Sequence, residues 1–408
     1  MEYQQKMKRR GFLEKAALGA IAIPATLSAL ETTALPALVR DIDNIDPWLE
    51  LSKSAYTHNA RAISAVSGGK PILAVLKNNA YGLGVVEVGT ILDAVPEVAG
   101  FAVIKSSEAL AMRKGGIKKP ILLMADFDRR EGVDLMEQNI TLAAFSSDST
   151  AKISDLAKQV GRKAKVQLYV DTGIGRMGMP YHRTSAWLKS ISNNQNLAVE
   201  GVFTTLTTPD DFAREQIERF KSVLGNCDSV GIKPGVTHTA PSYTILRLPE
   251  SHFDMVRPGI LIHGSPPGGG ELTKIDLQPV FRLRARVVRM EQLRKGDTVG
   301  FSRFYEAKKP VWVATVPVGW ADGYSSAAEN GAVVLVNNKL YRVINVNASH
   351  CNLEIGEEEE VKIGDVATLI GPDNHEITPQ GFANRIDGHN YLQINFKEML
   401  PKFVFESF

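Results

Sequence analysis

Hydrophobic and polar positions along this chain change rhythm part-way through. Between residues 43 and 270, short apolar runs recur: "ILAVL" (72–76), "GFAVI" (100–104), "PILLMA" (120–125), "TLAAF" (141–145), "VQLYV" (166–170), "GVFTTL" (201–206), "GVTHTA" (235–240) and "GILIHG" (259–264). Helix-length amphipathic stretches such as "EVGTILDAV" and "DDFAREQIERFKSVLGNC" separate them. Short apolar strands joined by helical connections are βα units, and βα units build a parallel sheet. Eight of them predict a closed (β/α)8 TIM-type barrel. An open doubly wound sheet fits less well, because no GxGxxG follows the first run.

The rhythm changes after "GSPPGGGELTK" (264–274), whose prolines and glycines mark a linker. In "FRLRARVV" (281–288), Phe281, Leu283, Ala285 and Val287 alternate with three arginines, the pattern of a half-buried antiparallel strand. "VWVATVPV", "AVVLVNN", "KLYRVINV" and "VKIGDVATLIG" continue in that style. Residues 276–408 are therefore expected to form a mainly β domain.

The N-terminus follows neither pattern. "MEYQQKMKRRGFLEKAALGAIAIPATLSAL" has a basic start, the pair Arg9-Arg10 followed by Phe12-Leu13, and an apolar stretch from Ala16 to Leu30. That stretch falls short of the ~20 residues that span a bilayer. A basic region before a short apolar segment is the form of an export signal, and the double arginine is that of the twin-arginine (Tat) type. Residues 1–38 are accordingly read as signal and linker, with no stable membrane span. A periplasmic or exported location and the Tat export machinery as a partner are expected.

Composition narrows the rest. The 408 residues, with 44% hydrophobic and 23% charged, are those of a two-domain globular enzyme, and a formal net charge of +2 gives no support for nucleic acid as a partner. Cys227 and Cys351 lie far apart without metal-ligand spacing, so they are expected to be buried free thiols, and no metal site is expected.

In a TIM-type barrel, chemistry gathers at the C-terminal ends of the strands. Lys77 ends the first apolar run, and a lysine there is costly unless its amine is used. Tyr81 follows it. "DTGIGR" (171–176) follows the fifth run, Thr204 and Thr205 end the sixth, His238 and Ser242 follow the seventh, and Arg257, Gly259 and Ile260 lie at the eighth. A lysine amine suits a Schiff base. Ser242 and the backbone N–H groups around Gly259-Ile260 suit a phosphate. With an arginine able to reach a ring nitrogen, these describe a site for pyridoxal 5'-phosphate.

"AVLKNNAYGLG" (74–84), "VDTGIGRMGM" (170–179), "DMVRPGI" (254–260) and "VATVPVGWADGY" (313–324) resemble the signature segments of alanine racemases, in order and across nearly the whole chain after the signal. The resemblance implies a fold-type III pyridoxal-phosphate isomerase acting at the α carbon of a free amino acid. It implies a homodimer in which each active site takes residues from the partner's β domain. It makes Lys77 the Schiff-base lysine and the base on one face. Tyr81, Ser242, Gly259 and Ile260 would hold the phosphate. Arg257 would face the pyridine nitrogen and leave it unprotonated, and Arg176 would position the phenolic or carboxylate side.

The sequence departs from the family where the second face and the substrate are handled. Phe301, in "VGFSRFY", stands where the family has a catalytic tyrosine. Asn347-Ala348-Ser349 replaces a "Cys-Met-Asp" segment that meets the substrate carboxylate, which puts Ala348 on the substrate side and leaves room for a side chain larger than alanine's. Thr205 replaces a histidine, Tyr169 a lysine, and the family's terminal phosphate tyrosine has no match near Glu398. His238 is as readily a packing residue as a catalytic one, while His350 and Tyr305, candidate replacement acids, stand in a β domain where a lone His or Tyr is usually structural. Three functions fit: a racemase or epimerase with another second acid, a lyase needing one face (elimination, retro-aldol or decarboxylation), and a non-catalytic pyridoxal-phosphate-binding protein.

Overall fold

The computed structural model describes residues 46–267, 275–386 and 396–408. Residues 1–38, read above as an export signal, and most of the "PPGGGELTK" linker lie outside these residues. The first large element is a ring of parallel strands: Ile72–Val75, Val98–Val103, Ile121–Leu123, Thr141–Ala144, Ala164–Asp171, Leu197–Phe203 and Val236–His238, each paired with the next. The segment Val256–Pro258 closes it. Leu73 N–H donates to Val256 O (2.9 Å) and Val75 N–H to Pro258 O (2.9 Å) on one side, and Arg257 N–H donates to Ala240 O (2.9 Å) on the other.

The expectation of a strand at 259–264 is corrected here. That run is buried, with Leu261, Ile262 and His263 fully so, but it folds as consecutive turns. Closure falls to the three residues before it, where Pro258 has no N–H to extend a ladder.

Alternation within the barrel strands sorts two cores. Leu73, Val75, Ala102, Leu122, Ala143, Tyr169 and Phe203 form the inner layer, while the intervening residues pack under the outer helices, as period-two geometry requires. The helix Asp210–Ser229 shows how the outer face is read: Ala213, Gln216, Ile217, Phe220, Val223 and Cys227 are buried at helical spacing. Cys227 and Cys351 are both free and buried.

The second element is a nine-stranded sheet. Its spatial order is Arg289–Leu293, Val311–Val316, Cys351–Gly356, Lys339–Val346, Val333–Val336, Val366–Ile370, Phe281–Arg286, Trp48–Ser52 and Lys402–Phe405. Phe281, Leu283 and Ala285 are buried, and the arginines between them are half-buried, as the alternation predicts. Asn337 and Asn338, at φ 50° and 62°, make the two-residue left-handed turn that a tight hairpin needs.

Trp48–Ser52 is the structural surprise. Placed by sequence in the barrel span 43–270, it pairs instead with Phe281–Arg286 and Lys402–Phe405, inside the β sheet. Buried Glu50 on this strand pairs with Arg282 (3.5 Å) and Arg284 (3.2 Å), so the arginine face of its neighbour has its counter-charge there. Among the described residues, no helix is long and apolar enough to cross a membrane and no cluster of side chains could hold a metal ion.

Candidate active site

A cavity of about 610 Å³ opens at the C-terminal mouth of the barrel. Lys77, Tyr81, Arg176, Ser242, Arg257, Gly259 and Ile260 all line it, together with Tyr169 and Thr205. The sequence thus names most of the polar lining. Lys77 enters it from an unusual backbone. Directly after it, Asn78, Asn79, Ala80 and Tyr81 stand at φ 54°, 56°, 51° and 56°, one left-handed turn of four non-glycine residues. Such a turn costs about 1–2 kcal/mol per residue. It persists because its amides are held: Ala80 N–H donates to Leu76 O (2.9 Å) and Gly82 N–H to Asn78 O (3.0 Å). The side chain of Asn79 accepts from Val85 N–H (2.8 Å).

The Lys77 amine lies 5.8 Å from the centre of the Tyr81 ring. Burial, and then the charges of Arg176 and Arg257, hold its pKa below the ordinary lysine value. The amine therefore reaches its neutral, nucleophilic form at lower pH than a surface lysine. Burial alone pushes the Tyr81 phenol up to about 12, so it acts as a neutral donor.

Arg257 is fixed from behind. Its Nη1 donates to His238 Nδ1 (2.7 Å) and His238 O (3.0 Å), and its Nη2 to Thr204 O (2.7 Å) and Thr205 Oγ1 (3.0 Å). Because the guanidinium can only donate, His238 Nδ1 must accept, and Nε2–H then donates to Gln167 Oε1 (2.7 Å). His238 is fully buried, and its pKa lies well below the histidine norm, first through burial and then through Arg257. It is a neutral relay in a stack, parallel to Phe203 with centres 5.1 Å apart. Phe203 in turn stacks on Tyr169 at 4.3 Å. His238 is placed as a support of Arg257, and the four side-chain hydrogen bonds of that arginine use its Nη atoms, which leaves Nε as its remaining donor.

On the opposite side, Ser242 Oγ accepts from Gly259 N–H (3.0 Å) and, more loosely, from Leu261 N–H (3.4 Å). A Cβ at Gly259 would sit 2.4 Å from the Tyr81 hydroxyl, so any side chain there would displace that hydroxyl. Hydroxyls and backbone N–H groups thus converge on one end of the cavity. Arg176 has no recorded hydrogen bond or ion pair among the described residues, although it lines the cavity. Asp171, at the head of its loop, turns its carboxylate onto the N–H groups of Gly173, Ile174 and Gly175 instead. Among the described residues, three cationic side chains and no carboxylate line this cavity. That donor set fits a phosphorylated aldehyde with an aromatic ring and a carboxylate-bearing substrate: phosphate at Tyr81, Ser242 and Gly259, ring nitrogen at Arg257, amine at Lys77.

Ala348 is not brought to this cavity within the chain. It lines a separate hollow of about 260 Å³ in the β domain, with Phe301, Phe304, Trp320 and Asn347. Phe301 is 96% exposed and shares this hollow with exposed Phe304 and Trp320, an apolar patch of the kind that marks an interaction surface. His350 pairs with Ser349 (2.9 Å) on the same turn. The sequence reading missed the supports: Gln167, Phe203, and Gln216, whose amide joins Thr172, the Thr205 carbonyl and Thr207. A glutamine at the helical spacing of the apolar Ala213, Ile217 and Phe220 was the signal available for Gln216.

Comparison with known proteins agrees with this geometry. The family described as "Alanine racemase, N-terminal domain" matches residues 51–267, and "Alanine racemase, C-terminal domain" matches residues 280–400. An alanine racemase of Methanococcus maripaludis is 32% identical over 355 residues, covering 84% of this chain and 94% of its own. The solved alanine racemase of Bacillus anthracis, with bound L-Ala-P, superposes with a TM-score of 0.80 at 29% identity, covering 88% of this chain and 95% of the other. A solved histidine racemase of Leuconostoc mesenteroides gives the same TM-score of 0.80 at 28% identity, over 88% and 98%.

Proposed function

The chain belongs to the alanine racemase family, whose enzymes use pyridoxal 5'-phosphate, and on that premise we propose that it is an exported racemase-like isomerase of a free amino acid other than alanine. The observation that carries this reading is the barrel-mouth cavity, where a lysine of lowered pKa, two further cations and a hydroxyl–amide cradle meet without a carboxylate. When bound, pyridoxal phosphate supplies an electron sink for the pair left at the substrate α carbon. Lys77 Nζ would be the amine that holds the cofactor and, once the substrate's own amine has displaced it, the base that takes the α proton from one face. Arg176 meets the substrate carboxylate. Arg257, whose Nε–H is its remaining donor, would face the ring nitrogen and, being a donor only, would leave that nitrogen unprotonated. More of the work of deprotonation would then fall on the placement of Lys77.

In this reading the β domain completes the site of a second copy, so the protein works as a homodimer, with Phe301 and Ala348 facing the partner's cavity. A lyase that needs only one face is the second reading, favoured by Phe301, whose ring has no exchangeable proton. Incubating purified protein with a panel of L- and D-amino acids in D₂O separates the two. Label at Cα of both enantiomers marks a racemase, whereas a new product without inversion marks a lyase. No exchange with any amino acid would sink both.

Export is proposed on Arg9-Arg10 and the short apolar stretch after them. Replacing both arginines by lysine should leave folded, cofactor-loaded protein in the cytoplasm, since the charge stays but the guanidinium pair is lost. Fractionation of the native host checks this. Wild-type protein retained inside the cell with residues 1–30 intact would refute it.

A further inference from the structure

We propose that Glu108 is a positioning residue for Lys77, the strut that holds the left-handed turn carrying the lysine and Tyr81. This rests on reading Lys77 as the lysine that bears the cofactor. Glu108 lies in the third position of the helix Ser106–Lys114, where glutamate ordinarily turns back to cap its own helix start. One oxygen does that: Oε2 accepts from Lys105 N–H (3.1 Å) and Ile104 N–H (3.3 Å). The other oxygen is not needed for a cap. Oε1 reaches across to the neighbouring βα loop and accepts from Asn79 N–H (2.8 Å). Asn79 is two residues from Lys77 and two from Tyr81, in the middle of the left-handed turn.

The carboxylate is buried, 6% exposed, so these bonds have little competition from water. A turn of four strained residues needs such over-determination to persist. Without it, the turn would be free to relax toward negative φ. That relaxation would swing the lysine and the tyrosine together, because one directly precedes the turn and the other ends it. Tyr81 is otherwise confined by Gly259 and by the edge of His263 at 5.1 Å. Lys77 has no comparable anchor among the described residues. The amide of Asn79 therefore sets where the amine points, and Glu108 sets that amide.

The test uses the holoprotein and three variants. Glu108→Gln keeps the shape but offers one acceptor oxygen for two sides, and Glu108→Ala removes both. Asp128→Ala removes an N-cap on the next helix, where Asp128 accepts from Arg130 N–H (2.9 Å), and serves as a control for lost capping alone. The cofactor should dissociate about tenfold faster or more from both Glu108 variants, as expected when a bond to a charged group is lost. Less of it should be fixed to the Lys77 peptide by borohydride. Amide exchange over residues 76–85 should quicken in the Glu108 variants and stay at the wild-type rate in Asp128→Ala. If Glu108→Ala does not fold, Glu108→Gln decides. Cofactor retention and exchange in Glu108→Gln equal to those of Asp128→Ala would overturn the proposal. Wild-type protein carrying its cofactor on another lysine would instead overturn the reading beneath it.

Discussion

Lys77→Ala yields a colourless protein that no longer exchanges the α proton of any amino acid. The amine is both the proposed attachment point and the proposed base, so two losses coincide. The missing general base alone is worth about 10²–10⁴-fold in rate. The variant should fold, because truncating a lysine at the mouth of a cavity leaves the inner barrel layer of Leu73, Val75 and Phe203 untouched. Its pH behaviour gives a further check. Burial and the charges of Arg176 and Arg257 lower the Lys77 pKa, so the neutral amine predominates from a lower pH than for a free lysine. Reloading of cofactor-free wild-type protein with pyridoxal phosphate should therefore rise with pH and level off below the ordinary lysine value of 10.5. Arg176→Ala should move that plateau upward, since it removes a repelling charge. A wild-type plateau at or above the ordinary value, or visible absorbance retained in Lys77→Ala, would contradict the assignment of this amine.

How much of this was legible without coordinates depends on the range of the interactions involved. The barrel runs and the alternating "FRLRARVV" strand were legible because burial on two faces or on one is a local property of side-chain order. The eighth strand was misplaced because "GILIHG" is as buried as a strand, and apolar order reports burial rather than backbone conformation. Trp48–Ser52 fell unremarked inside the span 43–270 because only its partners, Phe281–Arg286 and Lys402–Phe405, define where it belongs, and they lie more than 200 residues away. At the site, Lys77, Arg176, Ser242 and Arg257 were legible by chemistry at strand ends. Their supports were not. Gln167 and His238 meet across strands, and Glu108 looks in sequence like an ordinary helix cap until its second oxygen is seen on Asn79. Nor could two adjacent asparagines announce a left-handed turn that also takes in Ala80 and Tyr81, residues that avoid that region on their own.

Phe301→Tyr is the substitution expected to increase activity most. Inversion requires a proton to leave one face of the α carbon and return to the other. Lys77 serves the first face. In the proposed dimer the second face meets the partner's Phe301 loop, where an apolar ring has nothing to donate. Wild-type protein should accordingly exchange the α proton of one alanine enantiomer much faster than it inverts it, by a margin within the roughly 10²–10⁴-fold that one acid–base group supplies. A hydroxyl at this position costs the fold little, because Phe301 is 96% exposed and packs against no core of its own chain. The gain in inversion should exceed the gain in exchange, and that split is the diagnostic, since better binding would raise both together. Thr205 and Asn347-Ala348-Ser349 are unchanged in the variant, so recovery should be partial. Exchange and inversion measured together in D₂O decide the matter. Rapid, symmetric racemisation of alanine by the wild type would show that another group, such as Tyr305 or His350, already serves the second face.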